Sequence, residues 1–179
     1  SEASKLGVLI KDGRALEHLC DVDTILFDKT GTLTTDQPEV KRVIARNKYT
    51  EKKILAYAAT AERKSTHPIA KAVVKKAEVE NVEPYEVQES NYKIGCGITV
   101  TINGKLIRVG SARFLSNEGI KIPKDVVKAQ EKSHALGNTF VLVGIDNYIG
   151  GALELQPQIR PGIKKMIAQY EIAFSMCFH

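Results

Sequence analysis

The chain has 179 residues, 43% of them hydrophobic and 26% charged, which suits a soluble globular protein holding one full domain and part of another. Its 26 basic and 21 acidic side chains leave a net charge of +5, dispersed in short clusters such as Lys52-Lys53 and Lys75-Lys76; that reads as a solvated surface, and no nucleic-acid partner is expected. The three cysteines, Cys20, Cys96 and Cys177, are far apart and form no Cys-x-x-Cys pair, the chain has no apolar run of about 18 residues, and its first residues lack the apolar core of a signal peptide; a disulfide framework, a bilayer span and a secretory leader are all disfavoured.

In chain order, Asp12 is placed to cap a brief helix through Leu19, and Thr24-Ile25-Leu26-Phe27 reads as a short buried strand running into the polar segment Asp28 to Thr34. A second strand is predicted from Val40 to Ala45. Thr50 caps a helix from Glu51 to about Arg63, and Pro68 suits the first turn of another reaching about Glu78, with Ala70, Val73, Val74 and Ala77 as its apolar stripe. Ile98, Val100 and Ile102 alternate before Asn103-Gly104, and Leu106 to Val109 return, a β-hairpin across a type I′ turn. Ser111 starts a short helix that Gly119 ends, and a longer helix runs from Lys124 to about Gly137. Thr139 to Ile145 and Tyr148 to Leu155 form a further hairpin, Gln156-Pro157-Gln158 reads as a linker, and Pro161 opens a helix with Ile163, Met166, Ile167 and Tyr170. The expected fold class is α/β flanks with an inserted α+β domain of antiparallel sheet and helices. The expected divisions are 1-36, 37-155 and 156-179, the outer two belonging to one incomplete sheet domain.

Asp28 carries the first chemical signal. A carboxylate at the end of a strand, followed by small hydroxyl and glycine residues, suits nucleophilic attack on a phosphoryl group. Gly31 permits backbone angles that aim amide groups at phosphate oxygens, Thr30 and Thr32 offer hydroxyls, and Lys29 adds charge. Holding a phosphate dianion near a carboxylate calls for magnesium. Taken alone, Asp28 reads more readily as a turn residue or cap. The uninterrupted Asp28-Lys29-Thr30-Gly31-Thr32-Leu33-Thr34, however, resembles at every position the phosphorylation signature of the P-type ATPases, within the haloacid-dehalogenase-like superfamily.

That resemblance implies that ATP phosphorylates Asp28, with Lys29 and Thr30 in the catalytic group, Thr30, Gly31 and Thr32 binding phosphate, and Asp28 and the Thr30 carbonyl binding magnesium. Thr30 stands where soluble members of the superfamily often carry a second Asp as general acid/base, which fits a long-lived aspartyl phosphate. Ser65-Thr66-His67-Pro68 following Glu62 resembles the nucleotide motif of the heavy-metal branch, and implies that Glu62 and His67 contact adenine. Gly95-Cys96-Gly97 is a weak motif by itself, because no helix follows as a dinucleotide fingerprint requires. By resemblance Gly95 and Gly97, with Val109-Gly110 at the hairpin end and Gly150 on a later strand, border the adenine pocket.

The reading is therefore an ATP-binding and phosphorylation-site fragment of an ATP-driven heavy-metal transporter, with ATP and magnesium as cofactors and the parent's transmembrane and actuator domains as partners. The transported metal would bind outside this segment, and the segment itself, a soluble fragment, would lie at the cytoplasmic side of a membrane. The later Thr-Gly-Asp and Gly-Asp-Gly-x-Asn-Asp segments of the family do not occur, so the segment alone is expected not to turn over ATP. The rivals are a soluble phosphatase or phosphotransferase of the same superfamily, which predicts an acid where Thr30 stands, and a nucleotide-binding module without catalysis. The apolar positions of the Phe174 to Phe178 tail are expected to seek a partner.

Overall fold

A computed structural model describes residues 2–5, 7–18, 21–93 and 97–169. Expectations placed on Leu19, Cys20, Gly95, Cys96, Tyr170 and the Phe174 to His179 tail lie outside the described residues. The chain divides into two compact units, Thr34–Ile159 and the pair of flanks Ser1–Leu33 with Arg160–His179.

The larger unit is a six-stranded sheet. Its strands are β1 (Glu39–Ala45), β2 (Glu89–Lys93), β3 (Gly97–Ile102), β4 (Lys105–Gly110), β5 (Thr139–Ile145) and β6 (Tyr148–Gln156), in the order β1-β6-β5-β4-β3-β2. Every pairing is antiparallel. The β3–β4 hairpin turns on Asn103 and Gly104, both at positive φ (50° and 70°), the backbone a type I′ turn demands.

One face of the sheet is covered by two helices, α3 (Glu51–Glu62) and α4 (Pro68–Val79); the short helices α1 (Glu2–Lys5) and α2 (Arg14–His18) belong to the flanks. Thr50 starts α3 by accepting from the Lys53 amide, and Ile54, Leu55 and Ala58 bury themselves against Val100, Ile107, Val143 and Leu153 of the strands. The other face carries α5 (Ala112–Asn117) and α6 (Lys124–Ala135), where Phe114, Leu115 and Val126 meet Phe140, Leu142 and Ala152. Alternation along each strand thus feeds two cores, one per face.

The flanking unit departs from expectation. Thr24 to Phe27 is not a strand, and its side chains are exposed, Leu26 by 92%. A strand is held by a ladder of backbone bonds, and the sheet found among the described residues does not include this stretch. Asp12 does lie ahead of α2, its carboxylate accepting from the Arg14 amide at 3.0 Å and from the Arg14 guanidinium at 2.8 Å. Lys29–Leu33 forms one π-helical turn, and a further helix occupies 163–169. No helix among the described residues is long and apolar enough to cross a membrane.

Candidate functional site

Two groups of predicted residues occupy different units, and each is described by itself. In the flanking unit Asp28 and Lys29 are exposed at the start of the π-helical turn. Gly31 adopts φ +81°, the left-handed conformation that an L side chain resists. Its carbonyl accepts from Arg160 Nη2 at 2.6 Å, and the Arg160 amide donates to the Leu33 carbonyl at 3.0 Å. Arg160 is thereby a residue of this loop, a role its position 129 residues away conceals in sequence. No group of three or more His, Cys, Asp or Glu side chains able to hold a metal occurs among the described residues. A carboxylate at Asp28 and a backbone carbonyl two residues on at Thr30 are oxygen donors of the hard type that magnesium takes, alongside waters and phosphate oxygens.

In the larger unit, the end of α3 and the start of α4 hold a relay of short bonds. The Ser65 amide donates to the Glu62 backbone carbonyl at 2.9 Å, and the Ser65 hydroxyl oxygen accepts the His67 amide at 3.3 Å. His67 is the N-cap of α4: its Nδ1 accepts the Ile69 amide at 3.2 Å. That bond assigns the neutral ring its proton on Nε2, which leaves an outward donor on an exposed side chain. Glu62 is half-buried, and burial pushes its pKa up to about 7 in spite of the neighbouring Ser65 side chain, which acts downward.

The glycines follow from the hairpin register. Gly97 lies directly opposite Gly110 at the open end of β3 and β4. A Cβ on Gly97 would fall 2.4 Å from the Phe114 ring and 2.7 Å from the Val109 carbonyl, so α5 packs here only against a bare backbone. Gly150 is not brought to this end. It sits on β6, separated from β4 by β5, and a Cβ there would strike Ile145 at 2.4 Å, so core packing accounts for it.

The two ends of α3 meet different neighbours. Tyr49, just before α3, bonds Lys105 Nζ at 3.3 Å at the turn end of the hairpin. The end of α3 at Thr60, with Arg63 and Lys64 just beyond the helix, shares a cavity of about 410 Å³ with Tyr85, Glu86 and Val100. The 84–87 segment of this cavity leads to Gln88, whose Oε1 accepts the Gly104 amide at 3.3 Å in the hairpin turn, at the end away from Gly97 and Gly110. Neither Glu62 nor His67 lines that cavity.

Residues 22–171 match the haloacid dehalogenase-like hydrolase family. The chain belongs to that family. Within it, the relatives are heavy-metal-transporting P-type ATPases. A Mycobacterium leprae manganese-exporting P-type ATPase is 32% identical over 167 residues, covering 93% of this chain and 23% of the relative. A Rhizobium leguminosarum bv. viciae copper-transporting P-type ATPase is 36% identical over 158 residues, 87% of this chain and 18% of the relative. The chain thus spans about a quarter or less of the length of the curated relatives it matches.

Solved structures agree. A zinc-transporting PIB-type ATPase in the E2.Pi state superposes with a TM-score of 0.77 at 31% identity, over 96% of this chain and 28% of that one. The catalytic domain of the CPx-ATPase CopB-B, studied for its conformational changes upon nucleotide binding, superposes with a TM-score of 0.61 at 28% identity, over 95% of this chain and 58% of that one. This member of the haloacid dehalogenase-like family carries Thr30 two residues after its aspartate.

Proposed function

We propose that this chain is the ATP-binding and phosphate-accepting part of an ATP-driven heavy-metal transporter. The observation that supports the reading is the arrangement between α3 and α4, where Glu62 ends one helix, Ser65 Oγ accepts the His67 amide and His67 Nδ1 caps the next helix with its other ring nitrogen left exposed. The names of the relatives support the transport half, and they differ in metal, so the reading extends to heavy-metal cations as a class. Glu62 and His67 bind the base, and Gly97 and Gly110 admit it close to the backbone.

Asp28 is the phosphate acceptor. A carboxylate oxygen attacks the terminal phosphorus of ATP, the bond to the bridging oxygen breaks, and ADP leaves with the electron pair. Asp28 and the Thr30 carbonyl would hold magnesium, whose charge offsets that of the phosphate oxygens. The Arg160 bond to the Gly31 carbonyl fixes the loop around the nucleophile. Thr30 offers no carboxylic acid to promote hydrolysis of the phosphoenzyme, which disfavours a soluble phosphatase. Phosphorylation and its reversal would shift conformations of the parent's membrane and actuator domains.

His67 separates binding from capping. His67→Asn keeps a side-chain acceptor for the Ile69 amide, since Asn is a favoured N-cap, but loses the reach of Nε2. The variant is expected to melt within a few degrees of the parent while its ATP affinity falls roughly tenfold or more, the worth of a strong hydrogen bond. Amide spectra titrated with ATP measure the affinity, and calorimetry the melting. Unchanged affinity in the variant would remove His67 from the site.

For the phosphorylation loop, the 179-residue chain incubated with magnesium and ATP labelled on its terminal phosphate is expected to retain no acid-stable label. Asp28 stands exposed, with only a partial donor set around it. The intact parent is expected to retain label, and its Asp28→Asn variant to lose it. Label on the parent that survives in that variant would exclude Asp28 as the acceptor.

A further inference from the structure

We propose that Tyr49 and Tyr148 form an oxidative modification site, a pair whose rings are joined by peroxide into a dityrosine cross-link within one chain. The site lies at the start of α3, where the loop before that helix meets the β3–β4 and β5–β6 turns, and it is independent of the nucleotide reading above. Tyr49 follows β1 and is buried, with 7% of its surface exposed, while Tyr148 opens β6 and is 38% exposed. One tyrosine of the pair is thus open to a dissolved oxidant, and the fold holds the other against it.

The two rings meet through their reactive ends. The hydroxyls lie 3.1 Å apart, the ring planes are 29° from parallel and the centroids are 6.5 Å apart. Oxidised phenols couple at the carbons that flank the hydroxyl-bearing carbon. With the hydroxyls facing each other, those carbons are the ring positions carried toward the neighbouring ring. Lys105 helps to fix the arrangement: its Nζ donates to the Tyr49 hydroxyl oxygen at 3.3 Å and stands 5.5 Å from the Tyr49 centroid. An ammonium group only donates, so Tyr49 accepts that bond and its own proton is free for Tyr148. Tyr57 is the competing partner, 6.3 Å from Tyr49 and 5.2 Å from Tyr85 between centroids. It meets Tyr49 edge to face at 72°, however, and is only 2% exposed.

The chemistry balances with hydrogen peroxide as the oxidant. Tyr148 gives up one electron and its hydroxyl proton and becomes a phenoxyl radical, with spin on the oxygen and on the flanking carbons. Hydrogen transfer from Tyr49 across the 3.1 Å bond passes the radical inward and restores Tyr148, which a second one-electron oxidation converts again. The two radicals pair in a carbon–carbon bond, and each ring returns the hydrogen of its bonding carbon to its oxygen. Two electrons and two protons leave the protein, and the peroxide that takes them becomes two molecules of water. Holding both radicals in contact favours this product over coupling between chains. The link joins residues 99 positions apart, so it restricts the unfolded chain as a disulfide does.

The test treats the 179-residue chain with hydrogen peroxide and a haem peroxidase, then reads dityrosine fluorescence, intact mass and the cross-linked peptides. The parent is expected to give a product of monomer size, lighter by two hydrogens, in which the peptide holding Tyr49 is joined to the one holding Tyr148. That product is expected to melt several degrees above the untreated chain. Tyr148→Phe removes an exposed hydroxyl and is expected to keep the melting temperature of the untreated parent while losing the product. Tyr49→Phe is expected to lose it too, as is parent unfolded in urea before treatment. No product in the folded parent, a cross-link at another pair, coupling only between chains, or an equal yield of the Tyr49–Tyr148 link from unfolded parent overturns the proposal.

Discussion

Glu154→Ala is expected to lower the stability of the larger unit by about 3 kcal/mol, roughly the loss of hydrogen bonds to a buried charge. Glu154 lies on β6 with only 4% of its surface exposed. One carboxylate oxygen accepts from Ser133 Oγ and from Asn138 Nδ2, both at 2.9 Å, and the other meets Arg42 at 3.1 Å. Alanine leaves the buried Ser133 hydroxyl without its acceptor and loosens α6 from the sheet. Glu154→Gln retains an acceptor but turns a donor toward Arg42, so an intermediate loss is expected.

The pH dependence has a definite sign. Burial acts upward on Glu154 and is the largest single effect, but the bonds from Asn138 and Ser133 with the charges of Arg42 and Lys41 together outweigh it, and its pKa is lowered. A depressed carboxylate stabilises the fold above its unfolded value and loses that contribution as pH falls through the folded one. Urea melts of parent and Glu154→Gln are therefore expected to converge on acidification below the ordinary glutamate range. A gap that stays constant to low pH would mean the charge contributes nothing.

Gly151→Ala is expected to cost about 2–3 kcal/mol, the upper part of the range for overpacking a dense core. A Cβ there would lie 2.5 Å from the Ile44 carbonyl and 2.8 and 2.9 Å from the two γ carbons of Ile54. Ile54 is completely buried and can yield only by shifting α3. The added variant Ile54→Ala removes both γ carbons, so its own cavity cost is expected to shrink in the Gly151→Ala background. The backbone contact with Ile44 remains, and rescue stays partial. Strict additivity in a double-mutant cycle would contradict the packing described.

Legibility in the sequence followed the range of the interactions concerned. The β3–β4 hairpin was readable because Asn103-Gly104 is a local device, and the same turn makes partner numbers sum to a constant, which pairs Gly97 with Gly110. Thr50 and Ser111 announced α3 and α5 for the same reason. β2 was not readable: Glu89-Ser90-Asn91-Tyr92-Lys93 shows no apolar alternation, since an edge strand is specified by its neighbour more than by itself. Thr24 to Phe27 misled in the opposite way, an apolar run that promised burial and lies exposed.

In the candidate site, motif spacing picked out Glu62, His67 and the Asp28 loop, but not the bonds among them. That His67 caps α4 could not be anticipated from residue preference, because histidine is seldom the N-cap. Arg160 reaches the Gly31 carbonyl 129 positions away and Glu154 binds Ser133 21 positions away, separations that a single sequence does not bridge.

The larger unit begins at Thr34 and ends at Ile159, and these two residues pair in an antiparallel bridge, with the Thr35 amide donating to the Gln158 carbonyl at 2.8 Å. To the host fold, 126 residues therefore look like a hairpin loop with neighbouring ends. A loop with fixed, adjacent ends adds closure entropy only slowly with its length. Such a module is portable: it can be lengthened, exchanged for another domain or excised with a short bridging turn, and the flanking segments need not be redrawn.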